Sequence, residues 1–416
     1  MTSAKPIALP KEAVWQAYKQ VKANRGAAGI DNQSLSQFDE GLKKNLYKIW
    51  NRMASGSYFP PPVKQVPIPK KGGNGKRNLS VPTVSDRVAQ TVVKLYLEPR
   101  LESIFHPDSY GYRPGKSAID AVAVTRRRCW QYHWVVEFDI RKAFDSLDRK
   151  LLMKAVRKHV PEKWIVMYIE RWLTAPIITP EGEKVIPTQG VPQGSVIGPL
   201  LMNLFMHYAF DRWMATNYAR CPFARFADDA VVHCHSEYQA KLMLKDITQR
   251  FADCHLEIHP DKSKIIYCKD NNRKGTGENI QFSFLGFTFK PRYARGNDGK
   301  PFTSFQPAVS QEALKTMRQK IRAFNLHRRV DLTLVDIANY WNPIIRGWWN
   351  YYGKFYPSAL DRIWDYFHRK IMQWARRKYL KLKYRKKASR EWLIKVTKRY
   401  PSLLFSALKR RMPLAG

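Results

Sequence analysis

The amino-acid sequence predicts an α+β domain up to about residue 300, followed by a helical and strongly basic region. In the first part, short apolar runs rich in β-branched residues alternate with helical patterns. Gly296, Gly299 and Pro301 cluster where the pattern changes, and we expect a domain boundary at 300–310. In residues 361–416, 18 lysine and arginine residues stand against three acidic residues, which gives a net charge of +15.

The net charge of the whole chain indicates which class of molecule the protein binds. The 416 residues include 73 lysine and arginine residues against 34 acidic ones, and 13% of the chain is aromatic. A net charge of +39 mixed with aromatic residues is typical of nucleic-acid-binding proteins, and attachment to an acidic membrane surface is the alternative. No stretch approaches 18 uninterrupted apolar residues, so we expect no membrane-spanning segment. Five cysteines without a C-x-x-C pair indicate reduced thiols in a cytosolic setting.

Helical patterns dominate the first hundred residues, around one predicted hairpin. Residues 11–56 are predicted to be mostly helical, with a turn at Gly29-Ile30-Asp31. Val63–Pro69 and Asn78–Val81 are predicted to be the arms of a hairpin, because a basic, glycine-rich segment separates them. A further helix is predicted over Ser85–Leu101.

The middle of the chain carries the predicted strands. Val135–Ile140 is a short apolar run typical of a buried strand, and residues 150–175 have a helical pattern. Leu200–Trp213 is predicted to be an apolar helix. Phe226–Val232 places two aspartates between apolar arms, which predicts a hairpin, and Phe282–Phe289 is predicted to be another strand.

Three aspartates in apolar surroundings are the strongest chemical signal. Asp139 lies in a predicted strand, and Asp228 and Asp229 are adjacent in a predicted hairpin. Carboxylates in such contexts are costly to desolvate and repel one another, and a hard divalent cation offsets both effects. Two Mg²⁺ ions, with Mn²⁺ as a possible substitute, would activate a primer 3′-hydroxyl and stabilise the leaving pyrophosphate. We expect Asp139 to bridge the two ions and Asp228 to complete their ligands, while Asp229 either binds a metal ion or orients its neighbour. The alternative is that the Asp-Asp pair lies in a solvated turn without a metal.

These segments resemble the motifs of reverse transcriptases. Phe226-Ala227-Asp228-Asp229 resembles their Tyr-x-Asp-Asp signature, and Phe138–Asp145 resembles their first palm motif, whose aspartate lies 89 residues upstream. The resemblance implies a right-hand polymerase, with fingers and a palm built on an antiparallel sheet, followed by an α-helical thumb or maturase domain. It implies that Asp139, Asp228 and Asp229 are catalytic, and it includes Ile140 among the metal-binding positions.

The same resemblance assigns five nucleotide-binding residues. Phe144 matches the bulky residue that excludes a ribose 2′-hydroxyl, although a plain core aromatic is the alternative. Gln193, in Pro-Gln-Gly, matches the glutamine beside the incoming nucleotide and template base. Lys70 and Arg77 match the residues that bind the triphosphate, for which a point charge and a planar fork are suited. Lys262 matches a lysine proposed to protonate pyrophosphate; a solvated charge is the alternative.

Four further positions are implied to contact template or primer. Arg113 lies in Ser109–Ala118, which is similar to a Tyr-Gly-Phe-Arg-Pro-Gly signature in the fingers, and Gly194 follows Gln193. Gly286 lies in a segment that resembles the primer-grip hairpin, where glycine permits close backbone approach. Phe226 stands where the family usually has tyrosine, so a hydroxyl near the primer end is missing but no metal ligand is lost.

Three segments point to the proteins encoded by bacterial group II introns: Asn24–Asp31, Ser109–Ala118 and Asn342–Tyr352. Membership would imply an RNA-directed DNA polymerase with maturase activity in intron splicing and mobility, associated with RNA or the nucleoid in the bacterial cytoplasm. Its partners would be structured intron RNA, an RNA template with a DNA or RNA primer, deoxynucleotides and target DNA. No segment resembles the C-terminal HNH endonuclease domain of some members, and we expect it to be lacking. The alternatives are an RNA-binding splicing factor with a vestigial polymerase, and a domesticated reverse transcriptase in host repair or defence.

The C-terminal region is expected to contact RNA. Asn342 is predicted to cap a helix with Pro343 in its first turn, and the aromatic and aliphatic residues that follow at helical spacing are predicted to be packed core. RNA contacts are predicted at seven basic residues, although such side chains are often only solvated: Arg346, Arg376, Arg377, Lys378, Arg385, Lys386 and Lys387. The predicted domains are 1–134 (N-terminal extension and fingers), 135–300 (palm with inserted fingers helices), 301–390 (thumb or maturase) and 391–416 (basic tail).

Overall fold

A computed structural model describes residues 6–69, 75–295 and 299–406. The α-helices are α1 Lys11–Ala23, α2 Leu35–Glu40, α3 Leu42–Ala54, α4 Val84–Glu102, α5 Ala118–Gln131, α6 Ala143–Ser146, α7 Arg149–His159, α8 Lys163–Leu173, α9 Gly198–Met206, α10 Arg212–Asn217, α11 Glu237–Asp253, α12 Gln311–Ala323, α13 Leu334–Tyr352, α14 Asp361–Lys378 and α15 Lys386–Arg399. The strands are β1 Val63–Pro69, β2 Lys76–Val81, β3 Trp134–Asp139, β4 Ile177–Ile178, β5 Lys184–Val185, β6 Phe223–Phe226, β7 Asp229–Cys234, β8 Lys264–Tyr267, β9 Phe282–Phe284, β10 Phe287–Arg295 and β11 Pro301–Val309.

Internal contacts divide the chain into two compact units. The first comprises Met1–Ala121 and Trp134–Ile265, and the second comprises Val122–His133 and Ile266–Gly416. This division falls earlier in the chain than the predicted boundary near residue 300, and α15 runs across the predicted boundary at residue 390. The four predicted domains therefore stay a prediction. Within the described ranges, no helix combines the length and the apolar character needed to cross a membrane.

The first unit contains the predicted strand and both predicted hairpins. Strands β6, β7 and β3 are neighbours in an antiparallel arrangement, and the β-branched residues of β3 are buried. Strands β1 and β2 pair from Lys64 opposite Val81 to Pro69 opposite Lys76, as expected for the fingers hairpin. Helices α1 to α3 and α4 confirm the helical patterns predicted on either side of that hairpin.

The predicted apolar helix Leu200–Trp213 is interrupted. Helix α9 passes into a π-helical stretch at His207–Asp211 before α10 begins. A π-helical turn holds one more residue than an α-helical turn, so it changes which side chains face the interior. Asp211, at the end of this stretch, is fully buried.

The second unit contains a three-stranded antiparallel sheet that corrects two predictions. Phe282–Phe289 is a hairpin and not one strand, because Leu285 (φ 52°) and Gly286 (φ 79°) reverse the chain between β9 and β10. Of the glycine and proline cluster near residue 300, Gly299 precedes β11 and Pro301 begins it, while Gly296 lies outside the described residues. Strands β10 and β11 pair over nine residues. Such clusters mark chain reversals as well as linkers, so the sequence could not separate the two. The prediction that the region beyond residue 300 is helical throughout is therefore wrong for β11.

Helices α12 to α15 of the second unit surround a core that includes Trp341, Trp364 and Trp374. The predicted cap at Asn342 is wrong. Helix α13 begins after Thr333, whose Oγ1 accepts a hydrogen bond from the backbone N–H of Asp336 at 3.2 Å in a capping box.

Pro343 therefore lies inside α13. The side-chain amide of Asn342 instead donates to the carbonyl of Leu403 at 2.9 Å, and its Oδ1 accepts from the N–H of Phe405 at 3.0 Å. The predicted packing is confirmed at Ile345, which is fully buried. An Asn-Pro pair matches a helix start locally, but tertiary contacts use Asn342 here as a polar link.

Candidate active site

The three aspartates meet at the end of one pair of strands. Asp139 is the last residue of β3 and lies directly opposite Asp229, the first residue of β7. Side chains of directly opposed residues leave a sheet on the same face, so these two carboxylates are neighbours. Phe226 pairs with Asp229 on the other side, which leaves Ala227 and Asp228 as a two-residue turn. The sequence placed these residues correctly on a hairpin, and the structure adds the register that brings Asp139 to them.

Burial and mutual repulsion disfavour the charged forms of the carboxylates where β3 ends and β7 begins. Burial raises the pKa of the Asp228 carboxyl above its ordinary value, and the negative charge of Asp139 raises it further. Arg225 and Lys262 act in the opposite direction. The ammonium of Lys262 donates to Oδ2 of Asp139 at 2.5 Å, so one carboxylate already has a cationic partner.

A buried arginine holds the turn that carries Asp228. The Arg225 side chain is 0% exposed, and it donates to both carboxylate oxygens of Asp211 at 2.7 and 2.6 Å. It also donates to the carbonyl of Ala227 at 2.8 Å. Its remaining bonds reach Asn203 Oδ1 at 3.2 Å and Ser109 Oγ at 2.8 Å. Five bonds match the five N–H groups of a guanidinium, so the charge is fully compensated inside the protein.

The sequence-based prediction missed Arg225 and Asp211. A signal was present, because an arginine inside the otherwise apolar run Phe223–Phe226 is rarely buried unless it is paired. Its partner could not be identified, because Asp211 is buried beside β6 only through the π-helical stretch of the preceding helix. Register along a helix that departs from regular spacing is not readable from apolar periodicity.

The segment after Ser109 packs against the same turn. A Cβ atom on Gly111 would lie 2.5 Å from the backbone nitrogen of Ala227, so only glycine allows this approach. The carbonyl of Gly111 accepts a hydrogen bond from the side-chain amide of Asn203 at 2.7 Å. The signature segment in the predicted fingers therefore supports the turn that bears Asp228.

Arg113 of that segment is used inside the protein. Its guanidinium donates to the carboxylate of Glu102, with a closest distance of 2.6 Å, and to the carbonyls of His106 at 2.6 Å and Ser109 at 2.7 Å. The side chain is only 5% exposed. Its donors are therefore used inside the protein, and its predicted contact with template or primer stays a prediction.

Two family profiles match the sequence. The profile described as reverse transcriptase (RNA-dependent DNA polymerase) matches residues 68–289, just over half of the chain. The chain belongs to the reverse transcriptase family. The profile of the group II intron maturase-specific domain matches residues 314–392, in the second unit.

Curated relatives support this assignment over part of their length. Protein YkfC of Escherichia coli strain K12 is 34% identical over a region that covers 49% of this chain and 54% of YkfC. The group II intron-encoded protein LtrA of Lactococcus lactis subsp. cremoris is 30% identical over a region that covers 48% of this chain and 33% of LtrA. The chain thus spans about half of YkfC and a third of LtrA. A solved telomerase from Candida albicans aligns with 88% of this chain and 66% of its own at 11% identity, with a TM-score of 0.47, which is too low to add an argument.

Reverse transcriptases generally use divalent metal ions, and the donor set here can be compared with that need. In the described residues, no group of three His, Cys, Asp or Glu side chains is arranged to hold an ion. Two oxygen donors, Asp139 and Asp228, nevertheless lie close enough to sense each other's charge, which suits a hard cation. Asp229 pairs with Asp139 between strands β7 and β3. Ile140, the residue after Asp139, is buried. The chemistry of the set fits a divalent metal once the Asp139 oxygen is released by Lys262.

Two of the residues predicted to bind the nucleotide, Phe144 and Gln193, lie in connected segments of the first unit. The N–H of Val191 donates to the carbonyl of Phe144 at 2.7 Å, and the side-chain amide of Gln193 donates to Asp145 at 3.2 Å. The carbonyl of Gln193 accepts from the N–H of Ser80 in β2 at 2.6 Å. The Pro-Gln-Gly loop therefore joins the palm helix that carries Phe144 to the fingers hairpin of this family member.

The remaining predicted positions lie in different surroundings. Arg77 is exposed on β2, while Lys70 lies outside the described residues. Gly194 is exposed beside Gln193. Phe226 is half-buried and ends β6, next to the Ala227-Asp228 turn. Gly286 lies at the β9–β10 turn of the second unit. The roles of these positions in binding nucleotide, template and primer stay predictions.

The seven basic residues predicted to contact RNA fall into two groups. Arg376 donates to Ser389 Oγ at 3.1 Å, and Lys378 donates to two backbone carbonyls at 2.8 and 2.7 Å, so both serve packing within the second unit. The others are exposed, namely Arg346, Arg377, Arg385, Lys386 and Lys387. We call residues 383–387, which lead into the first turn of α15, the basic loop. Its Tyr384 is 88% exposed, and Lys383 lies 5.4 Å from the centre of that ring.

Proposed function

We propose that this protein is an RNA-directed DNA polymerase of the group II intron type. It would add deoxynucleotides to a primer on an RNA template by two-metal transfer, and it would assist intron splicing and mobility as a maturase. The observation that carries the proposal is the pairing of Asp139 with Asp229 beside a turn that presents Asp228. Family membership supports the reaction, and the match to the maturase-specific domain supports the second activity.

Each residue at this site has a defined task in the proposal. Two Mg²⁺ ions, replaceable by Mn²⁺, would supply the Lewis acidity that activates the primer hydroxyl and stabilises pyrophosphate. Asp139 and Asp228 would hold them, and Asp229 would bind or orient from the opposite strand. Lys262, released from Asp139, would donate a proton to pyrophosphate. Phe144 would leave no room for a ribose 2′-hydroxyl.

The nucleic-acid partners in the proposal follow from charge and exposure. A net charge of +39 favours binding to phosphates, and the exposed basic loop combines cations with an aromatic ring on which a base can stack. The partners proposed are structured intron RNA, a primed RNA template and target DNA. A location with RNA or the nucleoid in the bacterial cytoplasm accompanies them.

Primer extension tests the proposal. Wild type is expected to extend a DNA primer on a long RNA template with deoxynucleotides and Mg²⁺, whereas Asp228→Asn, which keeps the side-chain shape but removes the charge, extends none. Asp253→Asn, at an exposed position in α11, is the matched control and should behave as wild type. Tight RNA binding without extension by wild type would contradict the proposal and favour an RNA-binding splicing factor.

A further inference from the structure

An open cleft lies beside the catalytic turn, within the first unit. It measures about 450 Å³. Its walls include aromatic, aliphatic and basic side chains, among them Tyr112, Phe226, Lys94, Lys116, Pro199 and Leu200. Glu98 and Arg113 also border it. Lys94 pairs with Glu98 at 3.3 Å and Arg113 with Glu102 at 2.6 Å, so Lys116 carries the excess positive charge of the walls. The combination of ring faces with excess positive charge suits a nucleic-acid strand.

Two aromatic rings form one side of this cleft. The rings of Tyr112 and Phe226 have their centres 6.1 Å apart and are tilted by 47°. Tyr112 is 53% exposed, and the charges of Asp228 and Arg77 both act on its hydroxyl. Burial raises the pKa of this hydroxyl and the charge of Asp228 raises it further, so the hydroxyl lies near the turn that carries Asp228.

The Tyr112 hydroxyl is available for a ligand. It makes no hydrogen bond to another residue in the described part of the chain, whereas the hydroxyl of nearby Tyr110 donates to Asp108 at 3.1 Å. Tyr112 is also held with a positive φ of 56°, a conformation that a tyrosine rarely adopts. A residue kept in such a conformation, with an unused polar group, is typical of a position that serves binding and not packing.

The sequence shows a matching exchange of hydroxyl groups. Phe226 stands where the Tyr-x-Asp-Asp pattern has tyrosine, and Tyr112 stands where the Tyr-Gly-Phe-Arg-Pro-Gly pattern has phenylalanine. One ring lacks a hydroxyl, and the ring beside it has one. Because both rings border the same cleft, the two departures are physically connected.

We propose that the 3′ end of the primer strand occupies this cleft and that Tyr112 supplies the hydroxyl contact that Phe226 cannot make. The inference rests on the proposed polymerase function. The primer is the occupant because the cleft borders the turn that carries Asp228, where the primer hydroxyl must arrive for transfer. Tyr112 is then a primer-contacting residue that determines how well a primer end is held.

The test exchanges the two hydroxyls. The Michaelis constant for primer–template and that for deoxynucleotide are measured for wild type, Tyr112→Phe, and the double variant Tyr112→Phe with Phe226→Tyr. Tyr112→Phe should raise the primer–template constant about three- to tenfold, the contribution of one hydrogen bond, and leave the deoxynucleotide constant within about twofold. The double variant should return to within about twofold of wild type. Tyr238→Phe, which removes an exposed hydroxyl in α11, is the matched control and should match wild type.

Two results would overturn the inference alone. Tyr112→Phe could equal the Tyr238→Phe control, which would mean that the hydroxyl contacts no primer. The loss in Tyr112→Phe could persist in the double variant, which would mean that Tyr112 acts only on the shape of its loop. If wild type itself extended no primer, the proposed function would fail, and this inference with it.

Discussion

Arg225 and the basic loop show opposite uses of the same positive charge. Arg225 is fully buried in β6, and its hydrogen bonds hold Asp211 and the turn that carries Asp228. Arg385, Lys386 and Lys387 are exposed at the start of α15. A buried guanidinium with five bonds cannot reach a phosphate, and an exposed one restrained by no partner cannot fix the geometry of a turn. Burial, and not residue type, decides whether a cation can support the turn that carries Asp228 or stays available for a phosphate.

Replacing Arg225 is the most severe way to test this comparison. Arg225→Met should lower the free energy of unfolding by about 3–5 kcal/mol, because it leaves the charge of Asp211 buried without a partner. Chemical denaturation would measure this. Arg377→Met, at an exposed basic position, should stay within about 0.5 kcal/mol of wild type. Equal losses in the two variants would show that burial does not distinguish these arginines.

A second buried carboxylate tests what the guanidinium contributes. Asp86 is fully buried like Asp211, but it accepts only from the neutral donors of Tyr58 at 2.9 Å, Trp172 at 2.7 Å and Gln90 at 2.9 Å. Burial raises its pKa to about 6 from an ordinary value of 3.8. Its contribution to stability is therefore complete below pH 3.8 and is lost as the pH rises through 6.

Asp86→Asn should remove this pH dependence. Relative to the variant, wild type is expected to lose roughly 3 kcal/mol of unfolding free energy as the pH rises from 4 to 7. This value follows from about 1.36 kcal/mol for each unit of pKa shift. Denaturation curves at several pH values would measure it. A difference that stays constant with pH would mean that burial does not favour the protonated form of Asp86 in the folded protein.

The basic loop should give a smaller effect, on RNA binding alone. Replacing Arg385, Lys386 and Lys387 with glutamine should weaken RNA binding about tenfold and reduce the salt dependence by roughly two to three released counterions. Replacing Arg376 and Lys378, whose donors are used internally, should leave the salt slope unchanged and lower stability instead. Binding isotherms at several salt concentrations would distinguish them, and an unchanged slope for the loop variant would exclude it as an RNA contact.

The sequence predicted the parts of the site that depend on short segments. The strand ending at Asp139 and the hairpin bearing Asp228 are found as expected, because apolar alternation and paired carboxylates are local signals. The Arg225–Asp211 pair was missed, because it joins a strand to an irregular helix. Asn342 was misassigned for a similar reason: its partners lie about 60 residues away, and a local cap pattern could not reveal them.

The strand that follows residue 300 was missed for a different reason. Glycine and proline occur both in linkers between domains and in tight connections between strands. Only the pairing of β10 with β11 shows that the residues near 300 connect two strands. Tyr112 lies within the segment Ser109–Ala118, but only the 6.1 Å between the two ring centres connects it with Phe226.

The most direct test of the account is the rate of deoxynucleotide addition at saturating primed RNA, measured for Asp228→Asn and for the basic-loop triple variant. The account predicts that Asp228→Asn loses roughly a thousandfold or more, because a metal ligand is gone, while its RNA affinity is retained. The triple variant should keep a rate within about threefold of wild type once RNA saturates it. A comparable loss of rate in both variants, or a rate for Asp228→Asn close to that of wild type, would contradict the separation of the turn that carries Asp228 from the basic loop.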